Sequence, residues 1–271
     1  MTLSFWLKVF EIQFSSFAAA VSQPSVFKYP MSASYYWGKY LMGRFKARIV
    51  RVKDSSDAYR GKEYITFLAN HRSSADVFID SYITGGSSMI AKKEVKFTTP
   101  LNCAYSRRTT IFIDRKSGRD KIFKKTDDQL KKFPNNVLVY AEGHRNIKNE
   151  SLPLKTGFIQ WSYQRGRPVQ IIITKGKEQI ASFKTKKVHK NITLVTCVSP
   201  LIRPTGSYSK FEKEVLRQWK DCWKKAYASD AVTEPVQFSK SYHAKRPDLK
   251  HSLETAVLTG ALGYPVLRKV F

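Results

Sequence analysis

Residues 64–76 read Tyr64-Ile65-Thr66-Phe67-Leu68-Ala69-Asn70-His71-Arg72-Ser73-Ser74-Ala75-Asp76. The run from Tyr64 to Ala69 is short and apolar, which predicts a buried strand. From Ser74 through Ile83 the pattern turns helical. Strand, short loop and helix are the unit from which α/β folds are built. The loop places a histidine at a strand end and an aspartate on the first helical turn, so the two can face each other. An imidazole oriented by a carboxylate is a general base for a hydroxyl. Its ordinary pKa of about 6.5 suits that work near neutral pH. Asp76 has a second reading as a helix cap, because Ser73-x-x-Asp76 matches a capping box with Asp in place of Glu. The two roles are compatible. His71 also has a plainer reading, as a loop-end residue bonded to backbone.

Outward from this unit, strands and helices alternate. The pattern predicts strands at 47–52, 64–69, 110–114, 137–141, 169–174 and 192–198, and helices at 74–84, 119–133, 155–165 and 209–228. Such alternation argues for an α/β fold with a central, largely parallel sheet flanked by helices. The charges from Lys125 to Lys132 fall on one helical face and read as solvated. Phe211, Val215, Trp219, Cys222, Trp223 and Ala226 form an apolar stripe at helical spacing, read as core.

Two later segments repeat the placement of polar residues at strand ends. They are Thr110-Ile111-Phe112-Ile113-Asp114-Arg115 and Ala141-Glu142-Gly143-His144-Arg145. Each puts an arginine just beyond a strand, where open α/β sheets bind ligands. The planar guanidinium can bind two phosphate oxygens at once. Gly143 permits close backbone approach or positive φ, and Glu142 can hold an arginine by a charge-assisted bond. Taken singly, each arginine reads as a solvated surface charge. With a base at the preceding strand end, the set reads as a hydroxyl-activating site beside a phosphate clamp.

In this order and at these separations, the three segments resemble the glycerolipid acyltransferase family, most closely its 1-acylglycerol-3-phosphate (lysophospholipid) acyltransferases. Lys92-Lys93-Glu94 and Pro100 resemble the family's connecting segment. The resemblance covers roughly residues 45 to 200 and implies acyl transfer from acyl-CoA to a lysophospholipid hydroxyl. His71 would be the base and Asp76 its orienting partner. Arg115 and Arg145 would bind the acceptor phosphate, with Glu142 and Gly143 shaping that pocket. No nucleophilic Ser or Cys is assigned, so transfer would be direct, with no metal or bound cofactor and acyl-CoA as co-substrate. The chain departs from the family pattern at His144, where the family has Thr. Other departures are Thr109 and Asn102-Cys103, where Gly is common, and Val169–Ile173, which lacks the family's proline. These bear on the acceptor head group more than on the reaction. Within the class, the alternatives are another lysophospholipid or glycerol-3-phosphate acyltransferase, or a CoA-independent transacylase. Outside it stands a basic membrane- or nucleic-acid-binding module with a dead site.

At 271 residues the chain can hold one sizeable domain with appendages. A hydrophobic share of 42% is that of a globular protein. A net charge of +27 calls for polyanions. An anionic membrane surface and phosphorylated substrates satisfy that. No zinc-finger spacing, RNP-type motif or basic region with heptads supports nucleic acid. Cys103, Cys197 and Cys222 match neither a metal site nor a disulfide framework and read as core residues of a reducing compartment.

Residues 3 to 21 are mostly apolar but interrupted by Lys8 and Glu11. They read as an amphipathic helix in the interfacial plane or a docking helix over the acyl channel. A spanning anchor is the alternative, at a cost for the central charges. Lys28, Lys39, Arg44, Lys46 and Arg48 follow, and the positive-inside rule places the body in the cytosol. The expected location is the cytosolic face of a membrane, the endoplasmic reticulum in a eukaryote or the inner membrane in a bacterium. The division is 1–45 as an N-terminal membrane-associating helical region, 46–230 as the acyltransferase α/β domain, and 231–271 as a C-terminal tail. That tail reads as irregular until Ser252 and apolar from Ala256 to Leu267.

Overall fold

The computed structural model describes residues 30–97, 110–182, 187–228 and 232–239. The helix expected at 3–21, the apolar tail segment at 256–267, and Pro100, Asn102, Cys103 and Thr109 lie outside them.

Helix α1 (Pro30–Arg44) precedes β1 (Arg48–Val52) and β2 (Thr66–Ala69). Then come α2 (Asp76–Thr84), β3 (Ser88–Lys92), a 3-10 turn (Lys93–Phe97) and β4 (Thr110–Ile113). Helix α3 (Arg119–Lys132), β5 (Val137–Tyr140), α4 (Gly157–Gln164) and β6 (Val169–Lys175) follow. A short α5 (Lys177–Ile180) leads into a small hairpin of β7 (Ala181–Ser182) and β8 (Lys187–Val188). Strand β9 (Thr193–Val198), α6 (Tyr208–Ala228) and β10 (Val232–Pro235) complete the order. An eight-stranded sheet runs β10-β1-β9-β6-β2-β5-β3-β4. Neighbours are parallel except β10 with β1 and β9 with β6.

The alternation of the strands divides the core in two. Phe67, Ala69, Leu138 and Ile172 face α1 and α2, where Leu41, Phe45, Phe78, Ile79 and Ile83 are buried. Leu68, Val137, Val139, Ile171 and Ile173 face α3, α4 and α6. Both faces are covered, which is why these strands read as continuous apolar runs. Each fully buried large side chain contributes roughly 1.5–3 kcal/mol. The α6 stripe from Phe211 to Ala226 is buried as expected, and Lys124, Lys125, Lys131 and Lys132 on α3 are exposed.

Several elements are additional to the sequence reading, among them α1, β3, α5, the β7–β8 hairpin and β10. Helix α1 is a core helix. Gly38 lets it cross α2 closely, since a Cβ there would lie 2.4 Å from Phe78 O. Strand β3 follows Gly85-Gly86 and opens with serine, so no local signal marks it; pairing with β4 and β5 makes it a strand. Strand β10 lies where the tail was read as irregular, at the sheet edge where its proline needs no ladder donor. Cys197 on β9 and Cys222 on α6 are free and buried. Among the described residues no helix is long and apolar enough to cross a membrane.

Candidate active site

Beyond Ala69 the chain leaves the sheet, and the Asn70 side chain continues the ladder. Its Nδ2 donates to Thr174 O, and its Oδ1 accepts from the Thr174 N–H, both at 3.0 Å. His71 is thereby set at the carboxyl end of β2. Its Nδ1 lies 2.7 Å from Asp76 Oδ2. Its N–H donates to Glu142 Oε2 at 3.3 Å, and its carbonyl accepts from the Asn146 N–H at 2.7 Å.

Asp76 has no exposed side-chain surface. Its carboxylate also accepts from the Arg72 N–H at 2.5 Å, the Ser73 N–H at 3.0 Å and Ser73 Oγ at 3.1 Å. Only half of the expected capping box forms. The carboxylate reaches back to Ser73, but Ser73 Oγ accepts from the Ala75 N–H. Burial alone would raise the Asp76 pKa; the Lys177 ammonium, the His71 bond and the Ser73 amide hold it below the usual carboxylate range. The ionised carboxylate fixes the Nδ1–H tautomer of His71 and leaves Nε2 as a proton acceptor.

Behind the pair lies a buried polar cluster. Tyr140, at the end of β5, stacks on the His71 ring with centroids 4.4 Å apart and 15° between planes. Lys177 is fully buried. It donates to Asn70 O at 2.6 Å and to both Asp80 oxygens, at 2.9 and 3.2 Å. It also lies 4.0 Å from Asp76 Oδ2. Burial pushes Asp80 up to about 6, against the pull of Lys177. The Tyr140 hydroxyl is pushed well above its usual range, by burial first and then by Asp80.

The second and third segments converge on the same end of the sheet. Arg115 is exposed and reaches back to donate to Gly143 O at 3.1 Å. Gly143 has φ +74°, which favours glycine, and a Cβ there would press on Lys155 at 3.2 Å. Arg145 and His144 are exposed. Lys93, in the connecting segment, pairs with Asp114 at 2.5 Å and draws that carboxyl below its usual range.

The expectation that Glu142 holds an arginine is corrected. Glu142 is buried and its oxygens accept from the His71 N–H, from Asn146 Nδ2 at 2.7 Å and from the Leu152 N–H at 3.0 Å. It ties the third segment to the histidine and shapes the site from beneath. Arg72, unassigned by sequence reading, holds the same loop. Its buried guanidinium donates to both Glu178 oxygens at 3.0 Å, to Ile147 O at 3.1 Å and to Lys148 O. From the other side, Trp219 Nε1 donates to Ser151 Oγ at 2.7 Å and Trp223 Nε1 to Asn149 O at 2.6 Å.

Sequence reasoning missed Tyr140, Asp80 and Lys177. Asp80 carried a signal, since i and i+4 share a helix face and it follows Asp76 on an apolar one. Lys177 carried none, because a lysine after a strand reads as solvated. Among the described residues no three His, Cys, Asp or Glu side chains cluster as a metal site.

A mostly parallel sheet thus carries an Asp-oriented histidine at one strand end and arginines beyond two others. Residues 49–174 match the family model described as Acyltransferase, a span that runs from β1 to β6 and encloses all three segments. Over that span the chain is similar to the acyltransferase family. Its fold is similar to the crystal structure of PlsC, the 1-acyl-sn-glycerophosphate (LPA) acyltransferase from Thermotoga maritima. The TM-score is 0.57 at 17% identity, covering 70% of this chain and 78% of that one. No curated protein sequence matches the chain.

Proposed function

We propose that this acyltransferase moves a fatty acyl group from acyl-CoA to the free hydroxyl of 1-acylglycerol-3-phosphate, giving phosphatidate, at the cytosolic face of a membrane. The observation that carries the reading is the 2.7 Å His71–Asp76 pair at a strand end, on the side of the sheet where Arg115 meets Gly143. His71 Nε2 takes the acceptor hydroxyl proton as that oxygen attacks the thioester carbonyl. Asp76 stabilises the imidazolium without being protonated itself. The tetrahedral intermediate expels the CoA thiolate, which receives the proton from His71. One ester bond forms, one thioester breaks, and no acyl-enzyme or bound cofactor takes part. Arg115 and Arg145 bind the acceptor phosphate. The similarity to PlsC, named for this acceptor, supports the choice, and the +27 charge suits an anionic surface and phosphorylated substrates.

The test is a transfer assay with labelled oleoyl-CoA and oleoyl-acyl carrier protein as donors, across lysophosphatidate, diester lysophospholipids and glycerol-3-phosphate. Lysophosphatidate with acyl-CoA should give the highest kcat/KM. His71→Ala should lose about 10²–10⁴-fold in kcat, the usual worth of a general base, and remain folded. Preference for another acceptor or donor overturns the substrate assignment, and an active His71→Ala overturns the mechanism.

A further inference from the structure

A fully buried lysine needs a reason, because an ammonium out of water is costly unless paired. Lys177 enters the core from the turn after β6, where Gly176 takes φ +92°. Its three closest oxygens belong to residues that flank the reacting pair. One is the carbonyl of Asn70, the residue before His71; two belong to Asp80, one helical turn after Asp76. The ammonium also sits over the Tyr140 ring at 5.7 Å, and that ring is stacked on His71.

We propose that Lys177 is a positioning residue for the His71–Asp76 pair, acting through Asn70 and Asp80. The inference rests on His71 being the base. Arg72 is matched by Glu178, and Glu142, itself buried, accepts from the His71 N–H, so Lys177 is the ammonium that Asp76 and Asp80 share. Asp80, pushed up by burial and held by Lys177, keeps the ammonium engaged away from Asp76. The Lys177–Asn70 bond fixes the backbone from which the imidazole projects.

The test replaces both members of the buried pair, Lys177→Met with Asp80→Asn, because removing one alone would strand a buried charge. If the pair only supports the fold, the double variant recovers wild-type melting and wild-type turnover together. Positioning predicts near-normal melting, unchanged KM for both substrates and kcat lower by about 10–100-fold, the scale of a base displaced by under an ångström. It also predicts loss of the low-field proton resonance of the His71 Nδ1–H···Asp76 bond, assigned by its absence in His71→Ala. If the double variant does not fold, Asp80→Asn alone decides. It keeps the side-chain shape but leaves Asp76 as the only carboxylate for Lys177, so kcat should still fall. Wild-type kcat in a folded double variant, or in Asp80→Asn, overturns the inference while leaving an inactive His71→Ala, and the base assignment, untouched. An active His71→Ala removes the base itself.

Discussion

The rings of His71 and Tyr140 lie face to face, 4.4 Å between centroids, although 69 positions separate them in the chain. The stack leaves His71 one closed face, one nitrogen committed to Asp76, and Nε2 for the acceptor. An aromatic contact of this kind is worth roughly 0.5–1.5 kcal/mol. Tyr140→Phe keeps the ring and should keep kcat within about twofold. Tyr140→Leu should lower kcat by about 2–10-fold at unchanged KM, read by steady-state kinetics.

Asp76→Asn would be a mild change if the residue were only a cap, because Asn caps about as well as Asp. The carboxylate instead accepts from two backbone amides, a hydroxyl and the imidazole. An amide cannot accept all four and introduces donors of its own. Both kcat and stability should fall, the latter by about 1–3 kcal/mol, measured by urea unfolding beside the assay. Unchanged stability would mean that the carboxylate does not hold the loop.

The two buried carboxylates should respond to pH with opposite signs. Asp80 has its folded pKa raised to about 6. Its stabilising contribution is present below the ordinary carboxylate value and lost as pH rises through about 6. Asp76 is lowered, so its contribution is present above the ordinary value and lost on acidification. Wild type minus Asp80→Asn should therefore show stability declining from pH 4 to 7. Wild type minus Asp76→Asn should stay nearly flat over that range and fall only on acidification below the ordinary carboxylate value. Urea denaturation extended from pH 7 down to about pH 2.5 checks both responses.

Arg115→Lys and Arg145→Lys keep the charge but lose the two-pronged geometry. Each should raise KM for lysophosphatidate and leave KM for acyl-CoA nearly unchanged, costing about 10–100-fold in kcat/KM. Arg115→Lys should cost more, because it also releases Gly143 O. A rise in KM for acyl-CoA alone would place the donor in this pocket. A wild type that prefers a diester acceptor would direct attention to His144.

Membrane attachment through a +27 surface should weaken in high salt, since each basic residue near anionic lipid contributes about 1 kcal/mol within a Debye length. Deleting residues 1–21 should weaken it further. Liposome co-sedimentation reads both. Salt-resistant binding that depends wholly on residues 1–21 would support a spanning anchor.

The sequence by itself determined the α/β alternation, the strand-end position of His71, its pairing with Asp76 and the arginines beyond two later strands. All are local consequences. Side-chain period, loop length and the rise of one helical turn bring residues five apart together wherever the unit folds. The tertiary structure alone decided that Glu142 holds backbone in place of an arginine, that Tyr140 backs the imidazole, and that Lys177 is buried. Lys177 meets Asn70 across 107 positions of chain, a contact that exists only because β6 is hydrogen-bonded beside β2. Whether a lysine after a strand is solvated or entombed depends on which elements the sheet order places around it, and no short-range pattern encodes that order.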